Sequence, residues 1–239
     1  MDPRATRIDA ALRAAGDRAR AAQEQRYLKS DLQHYGSSVP AMRKVVKTAL
    51  AAEPGLGHDD LVALVGALWS RPVHECRMAA VELLDLRADR LVASDIDLVE
   101  RLIRESRTWA LVDGLAANVA GSLVERYPSL GPTLDRWSED GDFWIRRSAL
   151  LALLRPLRRG TGEFERFGRY ADAMLEEREF FIRKAIGWVL RETGKRQPGL
   201  VFAWLEPRAG RASGVTVREA VKYLSAAQRD AILAASGPR

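Results

Sequence analysis

Six positions in this 239-residue chain stand at the head of one recurring frame, and one of the six has the opposite charge. Arg43, Arg77, Arg147, Arg183 and Arg218 are each followed by small or apolar residues at +2, +3, +6 and mostly +7, as in Arg77-Met-Ala-Ala-Val-Glu-Leu-Leu and Arg147-Ser-Ala-Leu-Leu-Ala-Leu-Leu. Successive slots lie 34, 36 and 35 residues apart, with a double gap of 70 between Arg77 and Arg147. The slot missing from that gap falls at Asp113, four residues after Trp109. Arginines at such positions suit phosphate groups. A carboxylate among them can stabilise a positive charge that develops during a reaction, or simply neutralise its arginine neighbours.

A period near 35 residues is that of stacked helical hairpins of the HEAT-like or TPR-like kind. On a wheel of about 100° per residue with the slot at 0°, the apolar positions centre near 270°, so the slot lies about 90° to one side. Such flank positions on successive inner helices make one stripe along a concave face. Trp109 lies at about 320° on the same wheel, near the edge of the core arc, and plain core is an alternative for it. Trp188 lies at about 140°, where the other frames place Thr48, Glu82, Asn118, Ala152 and Tyr223, so a large ring there needs another explanation. Several slots also fall in the first turns of their helices, after Pro40, Pro72 and Asp142, where free backbone N–H groups favour phosphate too.

The helices that carry these residues can be read in order. Residues 2–25 form an opening helix, and Tyr27 begins a stretch that ends at Gly36. Ser38-Val-Pro40 opens the helix of Arg43. Helices follow over 59–69, from Pro72, and over 96–103. Asp142 is the N-cap candidate for the helix that carries Trp144 and Arg147, with Trp144 as a staple at its start. Residues 164–175 and 180–191 form another pair, and 216–224 hold the last frame. No stretch alternates convincingly, so strand content near nil is expected. The expected fold is an all-α solenoid of about six HEAT-like repeats with a concave basic groove, in one domain spanning 1–239.

The formal net charge of +6 and a pI of about 9.8 point to an acidic partner, nucleic acid first and a membrane surface second. The single cysteine, Cys76, rules out an intramolecular disulfide and reads as a small core residue. No apolar run approaches the roughly 18 residues of a membrane span, and no signal peptide is read at Met1-Asp2-Pro3-Arg4. A cytoplasmic location is expected. His34, His58 and His74 lack ligand spacing, so no metal is expected. Gly-x-Ser-x-Gly, Walker A and Gly-x-Gly-x-x-Gly motifs are absent, and nothing marks Lys184 as a Schiff-base amine.

Four segments together resemble one family. They are Tyr27-Leu-Lys before a Gly-x-x-x-Pro turn, Thr108-Trp109-x-x-x-Asp113, Phe143-Trp144-Ile145-Arg146-Arg147, and Phe181-Ile182-Arg183-Lys184-Ala185-Ile186-Gly187-Trp188-Val189-Leu190-Arg191-Glu192. Over nearly the whole chain the sequence is similar to the AlkD-like DNA glycosylases. The resemblance implies a cofactor-free hydrolase that removes cationic N3- and N7-alkylated purines, such as 3-methyladenine and 7-methylguanine, from double-stranded DNA without flipping the base. It makes Asp113 the catalytic carboxylate, Trp109 and Trp188 the aromatic walls around the deoxyribose, and Arg147 a backbone contact. Tyr27, Arg43, Arg77, Arg183 and Arg218 complete the expected DNA-binding set. A monomer is expected. Ser38 departs from the larger polar residue of relatives, which puts the contacts near Tyr27 in question. The competing readings are a catalytically silent HEAT-like DNA-binding protein and a protein-binding scaffold.

Overall fold

The computed structural model describes residues 2–237, and the chain divides into two compact units. The first comprises Met1–Asp95 and Ser106–Leu115, and the second Ile96–Glu105 and Ala116–Arg239. Among the described residues there is no strand, only a single parallel bridge between Gln33 and Val73. The all-α class expected from the sequence is the one found.

The first unit holds α1 (Pro3–Ala14), α2 (Arg18–Leu28), α3 (Val39–Ala52), α4 (His58–Trp69), α5 (His74–Leu86) and α7 (Trp109–Asp113), with α6 (Asp95–Ser106) belonging mainly to the second. The opening helix expected over 2–25 is in fact two. Asp17 caps the N-terminus of α2 by accepting from the Arg20 N–H at 2.7 Å, which breaks the run. α2 is unusual in burying none of its residues. The other helices bury apolar stripes: Ile8 and Leu12 on α1, Met42, Val46 and Leu50 on α3, Leu61, Leu64, Val65 and Leu68 on α4.

The second unit continues with α8 (Gly121–Arg126), α9 (Gly131–Ser138), α10 (Phe143–Ala152), α11 (Leu154–Arg159), α12 (Phe164–Ala173), α13 (Phe180–Gly194), α14 (Pro198–Leu205), α15 (Gly214–Ala220) and α16 (Ala226–Ala235). Asp142 caps α10, accepting from the Trp144 N–H at 2.8 Å, as its sequence position suggests. Trp144 itself is buried between Phe143 and Phe181, with ring centroids 4.5 and 4.8 Å away.

The six slots all stand on the later helix of a pair: Arg43 on α3, Arg77 on α5, Asp113 on α7, Arg147 on α10, Arg183 on α13 and Arg218 on α15. Within the first unit α3 packs on α5 and α5 on α7; within the second α10 packs on α13 and α13 on α15. Within each unit neighbouring slot helices therefore lie side by side, as a repeat with one inner helix per hairpin requires. No described helix is long and apolar enough to cross a membrane.

Candidate active site

In the first unit the fold brings Tyr27, Trp109 and Asp113 together. Asp113 closes the single-turn helix α7 and sits one turn from Trp109, on the same face. Both are half-buried. The chain enters α7 from Arg107, which adopts a left-handed conformation (φ 49°), and from extended Thr108, whose carbonyl accepts from the Leu111 and Val112 N–H groups. Tyr27, near the end of α2, sets its ring edge-on to Trp109, with centroids 6.2 Å apart and planes at 86°. The tyrosine is otherwise open, at 72% exposure.

The residue after Asp113 must be small. A Cβ on Gly114 would come within 2.7 Å of Cγ1 of Val81, so the glycine lets α7 approach α5. From Gly114 to Ala120 the helix is wound as a π-helix. Such segments widen the hydrogen-bond ladder by one residue and are frequent at functional sites. Nothing in the sequence signalled it, since each residue of Gly-Leu-Ala-Ala-Asn-Val-Ala is compatible with an ordinary α-helix.

The cationic slots have diverse environments. Arg43 is exposed and donates from Nε to Glu82 at 3.1 Å, beside the exposed Lys44 and Lys47 on the same helix. Arg77 lays its guanidinium over the Trp69 ring, 5.1 Å from the centroid. Arg183 donates to the Glu177 carbonyl at 2.6 Å. Arg218 is exposed, without an ion-pair partner among the described residues. Arg147 is the most enclosed of the slots. It is only 2% exposed, donates to the Phe181 carbonyl and lies over the Phe181 ring at 5.8 Å. The wheel could not foresee this, because it places a slot relative to its own helix and not to Phe181 on the next.

Trp188 is half-buried on α13, in the second unit with Arg147. Its position is fixed by a close helix crossing. A Cβ on the preceding Gly187 would come within 2.8 Å of the Glu219 Cβ and 3.1 Å of the Thr216 carbonyl oxygen, so α13 and α15 meet nearly backbone to backbone.

A profile described as "DNA alkylation repair enzyme" matches residues 8–224. The chain belongs to the DNA alkylation repair enzyme family. The matched span contains all six slots, Tyr27, Trp109 and Trp188. Among solved structures, a "predicted DNA alkylation repair enzyme" from Enterococcus faecalis is similar at 23% identity and a TM-score of 0.79, over 88% of this chain and 97% of that one. AlkD2 from Streptococcus mutans is similar at 19% identity and a TM-score of 0.59, over 86% and 98% of the two chains. The smu.31 protein of Streptococcus mutans UA159 gives 17% and 0.58 over the same shares. These likenesses establish the helical-repeat fold. A comparison with curated proteins finds no match. Membership of the alkylation repair family makes this chain an enzyme-family protein of DNA repair, and the basic slots accord with a DNA partner.

Carboxylates that sequence reading passed over hold the second unit's cations. Hydrogen bonds from Arg136, Arg104 and Trp137 outweigh burial and hold Glu100 at a pKa of about 2. Burial opposes ionisation of Glu219, but Lys184, Lys222 and Arg191 overcome it and also hold that carboxyl at about 2. The available signal was spacing: Arg136 lies 36 residues from Glu100 and Lys184 lies 35 from Glu219, one repeat in each case.

Proposed function

We propose that the chain is a monofunctional DNA glycosylase that hydrolyses the N-glycosidic bond of cationic N3- and N7-alkylated purines in duplex DNA. Asp113 supports this best. It is the one carboxylate in a series of cationic slots, half-buried, one turn from Trp109, and it lies within the span that matches the alkylation repair family.

Cleavage of a glycosidic bond builds positive charge on the sugar. A carboxylate about 4 Å from that charge, at an effective dielectric near 20, interacts with it by roughly 4 kcal/mol. That corresponds to about three decades of rate. Asp113 also orients the water that attacks C1′ and accepts its proton, while the base departs with the bonding electron pair. The face of Trp109 lies against the sugar and adds about 0.5–2 kcal/mol. Trp188 is the second ring that the family resemblance assigns to the sugar.

Exposed Arg43 and Arg218, with Lys44, Lys47 and Arg77, bind phosphates on this reading. Arg147 and Arg183, each donating to a carbonyl, belong to the same row of slots and complete the DNA-binding set on this reading. Tyr27 lies along the sugar edge beside Trp109. The base is not drawn into a pocket, so bulky alkyl groups are tolerated. No cofactor or metal enters the chemistry, and the enzyme works as a monomer.

One carboxylate without a general acid restricts the leaving group. A neutral base must be protonated as it departs. N7-alkylguanine and N3-alkyladenine already carry the positive charge and leave neutral. Duplexes with a single 7-methylguanine, 3-methyladenine, uracil or hypoxanthine, assayed for free base by chromatography, test the reading. Release of the two cationic bases alone is expected. Efficient uracil or hypoxanthine release would require a proton donor and overturn the mechanism. Duplex binding with no release of any base would favour a silent DNA-binding protein.

A further inference from the structure

Away from Asp113 the first unit holds a second group of chemically capable side chains. Glu24 on α2, His34 in the following loop and Glu75 at the start of α5 each offer one ligand atom, all within 4.8 Å of one another. His34 is 9% exposed, and neither of its ring nitrogens has a hydrogen-bond partner. Its ring stacks on that of His74, with centroids 4.5 Å apart and planes at 10°, and Nδ1 of His74 is likewise buried without a partner. Glu75 is fully buried and accepts from the N–H groups of Tyr35, Gly36 and Ser37, at 2.6 to 3.3 Å. Glu24 pairs with Arg20 at 2.7 Å. A buried imidazole with two unbonded nitrogens is costly, and a bound ion is one of the few things that relieves it.

We propose that Glu24, His34 and Glu75 form a binding site for a divalent transition metal of the zinc class, which ties α2 to the body of the first unit. One imidazole nitrogen and two carboxylate oxygens suit zinc, with water completing a tetrahedron, and do not suit magnesium or calcium.

The geometry also says which ligand moves. Metal bonds of about 2.0–2.2 Å put neighbouring tetrahedral ligand atoms roughly 3.3 Å apart, so a group whose atoms lie within 4.8 Å of one another needs only a small closure. Glu75 is pinned by three backbone N–H groups and His34 by its stack. Glu24 is free to travel: α2 buries no residue, the glutamate side chain is 27% exposed, and its pair with Arg20 is of the weak surface kind. Glu24 and Tyr27 are three residues apart, hence on one face of α2. Capture of Glu24 would therefore also restrain Tyr27 beside Trp109.

The test uses full-length protein stripped with chelator, titrated calorimetrically with zinc chloride and, separately, magnesium chloride. Hydrogen exchange of residues 18–28 is followed in parallel. One zinc per chain is expected, with no magnesium binding and slower exchange in α2. Glu24→Gln, on an exposed helix face, keeps the fold, and it should weaken zinc binding by about tenfold or more, as loss of even an outer-shell partner of a ligand does. His34→Asn should do the same. His58→Gln, at the separate contact with Asp59 and Asp95, should change nothing. Zinc affinity unaltered by Glu24→Gln, loss of binding in His58→Gln, or no stoichiometric zinc uptake would each overturn the assignment. Should His34→Asn fail to fold, Glu24→Gln alone decides.

Discussion

The two units use the same repeat for different ends. In the first, groups suited to DNA are left accessible: Tyr27 is open, Arg43 is exposed, and α2 rests on the surface with nothing buried. In the second, most cations are engaged internally. Arg136 reaches back to Glu100, Arg104 forward to Asp140, Lys184 forward to Glu219 and Arg208 back to Asp172, across 35 or 36 residues each. Arg147 is sealed against Phe181. Positive charge is thus not one quantity in this protein. Part of it faces outward, and part laces each repeat to the next.

The largest test of that contrast lies at Asp113. Asp113→Asn should lower single-turnover release of 7-methylguanine by about three decades while duplex affinity stays near wild type. Wild-type release would remove Asp113 from the chemistry and leave the first unit with binding alone. Next comes Arg147→Ala, which deletes a buried charged hydrogen bond and should destabilise the chain by about 1.5–3 kcal/mol in urea melts. Arg218→Ala should stay within about 0.5 kcal/mol but weaken duplex binding and its salt dependence. If instead Arg147→Ala changes only DNA affinity, its burial is incidental and the contrast fails.

Acid should act on the lacing. A carboxylate whose folded pKa lies below its ordinary value of 4.5 contributes stability above that value, and loses the contribution as pH falls toward the folded pKa. Glu100 and Glu219, both held at about 2, should therefore make the second unit lose stability between about pH 4.5 and 2. Glu219→Gln should flatten that dependence in melts run across this range. An unchanged slope would mean the network contributes little. Tyr27→Ala should have the smallest effect on stability, within about 0.5 kcal/mol, while reducing affinity for duplex DNA in a filter or anisotropy assay.

Much of this is legible in the sequence alone. The frame behind Arg43, Arg77, Arg147, Arg183 and Arg218 fixes which helix of each pair faces its neighbours, because apolar spacing is a property of one helix alone. The cap at Asp142 and the helix now bounded by His58 and Trp69 were legible for the same reason. What escaped depends on meetings between distant residues. His34 and His74 are 40 residues apart, and only the fold stacks them. The burial of Arg147 needs Phe181 from the next repeat. The break before α2 was hidden by its helix-favouring composition, where Gly16 and Asp17 outweigh the residues on either side. The first and last slots, Arg43 and Arg218, are exposed, whereas the four between them are half-buried or buried. A wheel drawn for one helix cannot distinguish an end from a middle.

The ties between repeats also have a timetable. A ribosome adds about 5–20 residues per second. When Glu100 has been made, its partner Arg136 is still 36 residues away, a wait of roughly 2–7 s. The same interval separates Asp172 from Arg208 and Lys184 from Glu219. During synthesis, then, the growing end always presents one unmatched repeat, and each new repeat completes the one before it. The chain is assembled at a steady beat, and its last charges are settled only when the final helices have emerged.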